Sequence, residues 1–245
     1  MQPALRPETH QVPDPAAEAR AEFEEFVYIL SHDLRASIRA MSELPEWIHE
    51  DLLEAGLDLP DSVVEYFGLM RTHTARLDQM LLDLLTYSRV GRMQTVQVLD
   101  VGPALNAVLG KISGIGAFEI TRDLSQSNIR MGDRDLDMLL DCLLTNAVKH
   151  NPEGAGHIRI STHVAERDVV IEVSDDGPGI PEKERERLLG PMTTLKSRDE
   201  IEGSGMGLAI ANKITKHYDG ALELASGTDG RGLSVRVQIK QPLQS

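Results

Sequence analysis

The chain contains 245 residues, of which 41% are hydrophobic and 4% aromatic, and its formal net charge is −14. These values argue against a nucleic-acid-binding protein, because such proteins neutralise phosphates with basic patches and stack bases on aromatic rings. No apolar run approaches the roughly 18 to 20 residues that cross a bilayer, and the N-terminus lacks the apolar stretch of a signal peptide. We therefore expect a cytoplasmic globular protein without a membrane span. Its single cysteine, Cys142, excludes a disulfide framework and a cysteine metal cluster.

Residues 1–16 carry four prolines and little apolar periodicity, which predicts a flexible leader. A long helix is predicted from Ala17 to about Ala55, because apolar residues recur there at three- and four-residue steps. The members of this core-facing stripe are Phe23, Phe26, Leu30, Leu34, Ser37, Met41, Leu44, Ile48 and Leu52.

The pentad SHDLR within this helix places an imidazole beside a carboxylate. At about 100° per residue, His32 lies roughly 200° from both Leu30 and Leu34, on the outward face of the helix. A pair such as His32 and Asp33 is by itself typical of solvated surface, so a functional role needs support from elsewhere in the chain.

A turn at Gly56 and the segment LDLPDS, with Asp61 or Ser62 as cap, leads to a second helix over about 62–90. Its apolar stripe consists of Val64, Phe67, Met70, Leu77, Met80, Leu81, Leu84 and Ser88. Two amphipathic helices have too little mutual contact to close a core, so two chains forming a four-helix bundle are the natural completion. We therefore predict a homodimer; the alternative is a hairpin that folds against the C-terminal part of the chain.

After a short linker at about 92–99, the pattern becomes mixed. Helices are predicted near 102–112, over 133–150 and over 206–217, and the strands are FEITRDL, NIRM, HIRISTHV, DVVIEVSD, ALELAS and LSVRVQIK. The stretch 177–204 is rich in glycine and charge and predicts irregular structure. This order is typical of an α/β sandwich with one mixed sheet under helices.

Three separated elements in this part predict a polyanion-binding pocket. In LLTNAVKHN, Asn146, Lys149 and His150 lie within one turn of a helix end, where an amide oxygen can bind Mg²⁺ and a lysine can meet phosphate. In DDGPGI, Asp175 follows an apolar strand and can accept a hydrogen bond from an exocyclic amine. In GSGMGLAI, glycines open a helix whose N–H groups can hold phosphates, although no strand precedes it as a Rossmann unit requires. Each element alone has a plainer interpretation as a cap, a turn or a loop.

With the exposed His32 upstream, the order and separation of these elements resemble the sensor histidine kinase family. SHDLR resembles its H box, LLTNAVKHN its N box, and DDGPGI and GSGMGLAI its two glycine boxes, and the resemblance covers about residues 20–240. It implies an α+β chain whose N-terminal antiparallel helical hairpin, residues 17–92, forms a dimeric four-helix bundle. A catalytic α/β sandwich of the GHKL (Bergerat) ATP-binding type, shared with gyrase, Hsp90 and MutL, would follow over residues 99–242.

The same resemblance implies ATP and Mg²⁺ as cofactors and a role for each matching residue. His32 would accept the phosphate, Asp33 would orient and deprotonate the imidazole, and Asn146 would be the metal ligand. The nucleotide would be held by Asn146, Lys149, His150, Asp175, Gly177, Gly179, Lys196, Gly203, Gly205, Met206, Gly207 and Leu208, with Asp175 accepting from the adenine amine. The stretch between the glycine boxes, including Lys196 and Arg198, would be a mobile ATP lid.

The chain departs from the family pattern at several positions. Ala36 stands where the family usually has Thr or Asn to position a hydrolytic water, which predicts weak phosphatase activity, and Ser37 replaces a common proline. Cys142 replaces a second Asn, so Mg²⁺ would depend more on Asn146 and water. The segment LLGPM at 188–192 replaces two aromatic anchors, which predicts altered docking of the ATP lid.

The resemblance implies a protein-histidine kinase that autophosphorylates and passes the phosphoryl group to an aspartate of a response-regulator receiver domain. A non-catalytic phosphotransfer adaptor or pseudokinase is the alternative. It is disfavoured because the adenine carboxylate and the phosphate glycines are all present, namely Asp175, Gly179, Gly203 and Gly205. An ATP-gated clamp is disfavoured by the short chain and the N-terminal hairpin. The sequence has no recognisable sensor domain, so the input would come from a separate protein or from a longer sensor. Transfer within one subunit and transfer between subunits both stay open.

Overall fold

The computed structural model describes residues 15–92, 94–195, 203–227 and 230–241. The chain begins with two long helices, α1 (Pro15–Glu54) and α2 (Asp61–Arg89). Most of the predicted leader, residues 1–14, lies outside the described residues. Asp61 is the first residue of α2, and Pro60 precedes it without any side-chain cap hydrogen bond, so the predicted cap at Asp61 or Ser62 is wrong.

Contacts along α1 and α2 show that the two helices run antiparallel. Arg35 Nε lies 3.3 Å from Asp78 Oδ1, and the guanidinium of Arg89 lies 5.1 Å from the ring centroid of Tyr28. These two contacts bracket His32 and place it at about the level of Asp83 along the hairpin.

The face that α1 buries in one chain differs from the predicted stripe. Among the α1 residues whose burial is described, Val27, Ser31, Ile38 and Pro45 are buried. The buried residues of α2 are Thr74, Leu85 and Ser88. Most of the predicted stripe is exposed, namely Phe26, Leu30, Leu34, Met41, Leu44 and Ile48. At about 100° per residue the two faces lie roughly a quarter turn apart, so the stripe does not face a core within a single chain.

The second part of the chain forms an α/β region. Its elements are β1 (Gln97–Asp100), α3 (Val101–Leu109), β2 (Phe118–Leu124), β3 (Asn128–Met131), α4 (Asp133–Lys149), β4 (Gly156–Ala165), β5 (Asp168–Asp175), α5 (Glu182–Leu188), α6 (Gly207–His217), β6 (Ala221–Ser226) and β7 (Leu233–Ile239). Five strands form one mixed sheet in the order β2-β4-β5-β7-β6, in which only the β2–β4 pair is parallel. The apolar faces of α4 and α6 cover this sheet, and their leucines and isoleucines form the core with it.

Three details of this region differ from the sequence prediction. Strand β1 begins at Gln97, inside the predicted linker, and pairs with β3 as a separate two-stranded sheet, so the strands do not form one sheet. Helix α5 lies inside the stretch that was predicted to be irregular. Because α5 reads Glu-Lys-Glu-Arg-Glu-Arg-Leu and buries only Leu188, it has no apolar stripe by which to recognise it.

The end of the hairpin packs against the α/β region. Lys213 of α6 donates a hydrogen bond to the carbonyl oxygen of Tyr87 at 2.6 Å and lies over the Tyr87 ring. Gly91 N–H lies 3.4 Å from Oδ1 of the buried Asp135, whose Oδ2 accepts from the Tyr218 hydroxyl at 2.7 Å. These contacts hold α2 beside α6 while the apolar stripe of α1 stays exposed. None of the described helices combines the length and the apolar character needed to cross a membrane.

Candidate functional site

A cavity of about 470 Å³ lies between α2, α4, the end of β5 and the start of α6. It brings together residues from all three of the motifs that predicted a polyanion pocket. The predicted residues that line it are Asn146, Lys149, His150, Asp175, Gly179, Gly203, Gly205, Gly207 and Leu208. Cavities of a few hundred Å³ with a small number of polar groups are typical of sites for small organic ligands.

Asp175 lines this cavity and lies at the C-terminus of β5. Its Oδ1 accepts hydrogen bonds from the N–H groups of Gly177 at 2.9 Å and Leu233 at 3.2 Å. Burial raises the pKa of this carboxyl, the two N–H donors oppose that shift, and the neighbouring Asp176 adds to it. Since both hydrogen bonds from the described residues go to Oδ1, Oδ2 can accept one from a ligand.

Gly179 lets its loop pass close to the loop that precedes β7. Its φ is +71°, and a Cβ at this position would lie 2.5 Å from the carbonyl oxygen of Gly232. Any side chain would therefore be strained and would push the two loops apart. The predicted residue Gly177 contributes through its hydrogen bond to Asp175 and does not appear in the cavity wall.

Helix α4 presents a polar face to the cavity. Cys142, Asn146 and Lys149 follow one another at three- and four-residue steps and line the cavity, while the other face of α4 is buried in the core. The Lys149 ammonium lies against Gly203, since a Cβ built there would be 2.5 Å from Nζ. Burial, with the nearby Asp141 and Asp83 carboxylates, raises the pKa of Cys142 to about 12, so its thiol is neutral at pH 7.

The glycine-rich loop before α6 also lines the cavity. Ser204 Oγ accepts a hydrogen bond from the Met206 N–H at 3.1 Å, next to the first residue of α6. Gly205 has a φ of +75°, and a Cβ there would lie 2.7 Å from the carbonyl oxygen of Thr193. Met206 is fully buried in the core, so its side chain supports the loop from below.

Helix α2 supplies a wall of the cavity that the sequence did not predict. Arg76, Gln79 and Asp83 line the cavity, and Asp83 Oδ2 accepts a short hydrogen bond from the Ser204 hydroxyl. The three residues follow one another at three- and four-residue steps, but their contact with the α/β region depends on how two distant parts of the chain dock. No local signal in the sequence predicts that docking.

His32 lies away from the cavity, on α1. Its side chain is 75% exposed, and its Nδ1 lies 3.3 Å from Asp33 Oδ1. Among the described residues, those lining the cavity include three from α2 and none from α1. The predicted exposure of His32 is therefore confirmed, and in this conformation α2 stands between α1 and the cavity.

The segment where the family has aromatic anchors is only partly described. Leu188 is buried, and Met192 is exposed at a φ of +57°. The predicted site residue Lys196 and the neighbouring Arg198 lie outside the described residues.

Residues 132–243 match the family of histidine kinase-, DNA gyrase B- and HSP90-like ATPases, so the α/β region is an ATPase domain of this class. The chain is 31% identical over 217 residues to cyanobacterial phytochrome A of Nostoc sp., which covers 85% of this chain and 27% of that protein. It is 29% identical over 215 residues to the signal transduction histidine-protein kinase AfsQ2 of Streptomyces coelicolor, which covers 84% of this chain and 39% of that protein.

Among solved structures, full-length ShkA in complex with AMPPNP superposes with a TM-score of 0.64 at 23% identity, covering 88% of this chain and 45% of that chain. At that identity the likeness concerns the fold, including the helical hairpin and the mixed sheet. Together these comparisons support a sensor histidine kinase. It spans less than half the length of the two relatives above.

Proposed function

We propose that this chain is the phosphotransfer core of a protein-histidine kinase, in which residues 17–92 carry the phosphoacceptor His32 and residues 99–242 bind ATP. The observation that carries the proposal is the single cavity that joins Asp175, the polar face of α4 and the glycine loop of α6 beside the hairpin. Three sequence motifs that are far apart in the chain meet there, in an arrangement that matches the parts of a nucleotide.

In this proposal the cavity holds the adenine at the Asp175 end and the phosphates at the glycine loop. Asp175 Oδ2 accepts a hydrogen bond from the adenine amine, and Gly179 allows the flat base to approach the backbone. The N–H groups at the start of α6 and the Lys149 ammonium face the phosphates, because both groups favour negative charge. His150 lies at the edge of the same cavity, next to Lys149.

The residues present also fit a magnesium ion that is held largely by the nucleotide. Among the described residues no group of three or more His, Cys, Asp or Glu side chains is arranged to hold a metal. Mg²⁺ in phosphoryl-transfer sites commonly takes only one or two protein ligands, and Asn146 offers an amide oxygen. Bound there, Mg²⁺ would neutralise phosphate charge, while the neutral thiol of Cys142 would contribute no ligand.

The chemistry assigned to His32 is nucleophilic attack on the terminal phosphorus. If Nδ1 donates its proton to Asp33 Oδ1, Nε2 keeps its lone pair and is the nucleophile. A bond forms between Nε2 and the γ-phosphorus, the bond to the β,γ-bridging oxygen breaks, and ADP leaves with that electron pair. Because α2 lies between α1 and the cavity, the catalytic domain must leave this docked position to reach His32 of its own chain.

The phosphoryl group then passes to an aspartate of a response-regulator receiver domain. Ala36 lies one turn after His32 on the exposed side of α1, where a methyl group has no hydrogen-bonding atom to position water. We therefore propose weak phosphatase activity. If this is right, Ala36→Thr should increase protein-dependent hydrolysis of a purified phospho-regulator in the presence of ADP, and fast hydrolysis by the unaltered chain would contradict it.

The exposed stripe of α1 supports a homodimer as the working form. Six large apolar side chains of one stripe are left uncovered in a single chain, and such a surface marks a protein contact. A second copy of the hairpin covers it in a four-helix bundle.

The test is autophosphorylation with γ-labelled ATP and Mg²⁺. We expect an acid-labile, alkali-stable label that disappears in His32→Gln and persists in His73→Gln, a matched change at an exposed histidine of α2. Asp175→Asn should abolish labelling by weakening nucleotide binding, whereas His32→Gln should bind nucleotide normally. Normal nucleotide binding without any label at saturating ATP would favour the adaptor or pseudokinase.

A further inference from the structure

The wall that α2 contributes to the cavity carries a carboxylate. Asp83 lies on a face of α2 that is roughly opposite the face packed on α1, which includes Thr74 and Leu85. The contacts of Lys213 with Tyr87, one turn further along α2, keep this face against the α/β region.

Asp83 is fixed at the glycine-loop end of the cavity. The Ser204 hydroxyl donates a hydrogen bond to Asp83 Oδ2, and Ser204 Oγ in turn accepts one from the Met206 N–H. Ser204 is buried between Gly203 and Gly205, so the carboxylate sits next to the N–H groups that open α6.

The charge of Asp83 also reaches the α4 wall. Burial raises the pKa of Asp141, the Lys111 ammonium opposes that shift, and Asp83 adds to it. Both Asp83 and Asp141 line the cavity, so an anionic ligand meets two carboxylates near the end that faces α2.

We propose that Asp83 is a specificity-determining residue of the nucleotide site, which lowers affinity as phosphates are added while α2 is docked. The proposal rests on the proposed function, since it takes the glycine loop as the phosphate end. Repulsion grows from adenosine to ADP to ATP because each added phosphate brings negative charge towards the carboxylate. By linkage, bound ATP weakens the docking of α2 by the same factor by which docking weakens ATP.

The test compares adenosine, ADP and ATP binding by calorimetry on the full chain with Mg²⁺. Asp83→Asn keeps an oxygen that accepts from Ser204 and removes the charge. Glu65→Gln is the matched control, an exposed charge loss on the same helix. We expect Asp83→Asn to tighten ATP binding about tenfold and ADP binding about threefold, with adenosine unchanged and Glu65→Gln like the parent.

The outcomes separate this proposal from the proposed function. Equal changes for the three ligands, or weaker ATP binding in Asp83→Asn, would overturn the role of Asp83 and leave the nucleotide site standing. Failure of the parent chain to bind any of the three would overturn the nucleotide site and the role of Asp83 with it. Asp83→Ser, a second neutral variant checked by circular dichroism, guards against misfolding of the first and must give the same ligand order.

Discussion

The helical hairpin and the ATPase domain bury their apolar residues in different ways. The domain encloses large side chains completely, among them Leu139, Leu144, Ile158 and Ile171, between α4, α6 and the sheet. The hairpin buries few large side chains in one chain and leaves many exposed, including Phe26, Leu30, Met41, Trp47, Ile48, Tyr66, Leu69 and Leu77. A domain of the first kind is stable by itself, whereas a hairpin of the second kind needs a partner surface.

This difference also divides the proposed chemistry. Most residues that line the cavity belong to the ATPase domain and must keep a fixed geometry to bind a nucleotide, although α2 of the hairpin supplies one wall. The hairpin carries the exposed His32, which in the proposed function meets both the nucleotide and a regulator. An acceptor that serves two partners is best placed on a surface that both can reach.

The largest effect is expected from opening a cavity in the self-contained core. Leu139 is fully buried in α4, so Leu139→Ala should lower the free energy of unfolding by about 3 kcal/mol. Val98→Ala, at a side chain that is 67% exposed, should change it by less than about 0.5 kcal/mol. Denaturant melts that follow a spectroscopic signal of the ATPase domain measure the free energy of unfolding of both variants. Similar values for the two variants would show that this core is not close-packed.

The second prediction tests the hairpin's dependence on a partner. Ile48→Asp puts a carboxylate in the exposed stripe and should raise the dimer dissociation constant about 30-fold, because burying an unpaired charge is costly. Ile29→Asp makes the same change on an outward face, roughly a quarter turn away, and should have little effect. Sedimentation velocity measures the fraction of dimer at each concentration. The helicity of the Ile48→Asp hairpin should fall on dilution. Equal dimerisation of the two variants would show that the stripe is not the interface.

A smaller effect on stability is expected when a buried tyrosine hydroxyl is removed, and an exposed tyrosine of the hairpin is the comparison. The Tyr218 hydroxyl donates to Asp135 Oδ2 and accepts from the Gly132 N–H at 2.9 Å. Tyr218→Phe leaves the buried Asp135 without this donor and should cost about 1.5 kcal/mol. Tyr66→Phe, at an exposed ring of the hairpin, should cost less than about 0.5 kcal/mol. If thermal melts gave the same shift for both, the buried network would have no stabilising role.

The sequence predicted the elements whose pattern is local. Helices α4 and α6 and strands β2 and β3 appear within a few residues of the predicted bounds, since their apolar periodicity is set by one face against one core. The glycines of the cavity could also be predicted to have a role, because the backbone geometry at Gly179 and Gly205 excludes other residues.

What the sequence did not predict depends on how distant parts of the chain dock. The pairing of β1 with β3 joins residues that the prediction assigned to a linker and to the main sheet. The buried face of α1 lies beside the predicted stripe because an amphipathic helix in a bundle has two apolar neighbours, and periodicity does not say which one belongs to the same chain. The place of Asp83 in the cavity wall was not predicted for the same reason, since its contact with Ser204 joins the two regions.

The last prediction compares stability with function at Asp175. Burial raises the pKa of this carboxyl in the folded chain, so the folded state holds its proton more tightly than the unfolded state does. The folded state therefore binds more protons across that range, and this group's contribution to stability falls as pH rises from below its usual pKa through the raised one. Above its raised pKa the ionised Asp175 destabilises the fold, as is common for groups positioned to bind a ligand.

Asp175→Asn should therefore unfold at the same or a slightly higher denaturant concentration than the parent at pH 7, because the amide oxygen still accepts from Gly177 and Leu233. The difference should shrink towards acid pH, where Asp175 is protonated and resembles the amide. Denaturant melts from pH 4 to pH 7 measure it, with Asp123→Asn at an exposed site of β2 as control. The contrary result would be an Asp175→Asn variant whose stability relative to the parent is clearly lower at pH 7 than at pH 4. The ionised carboxylate would then stabilise the ATPase domain, and the residue that we assign to adenine would be a structural group.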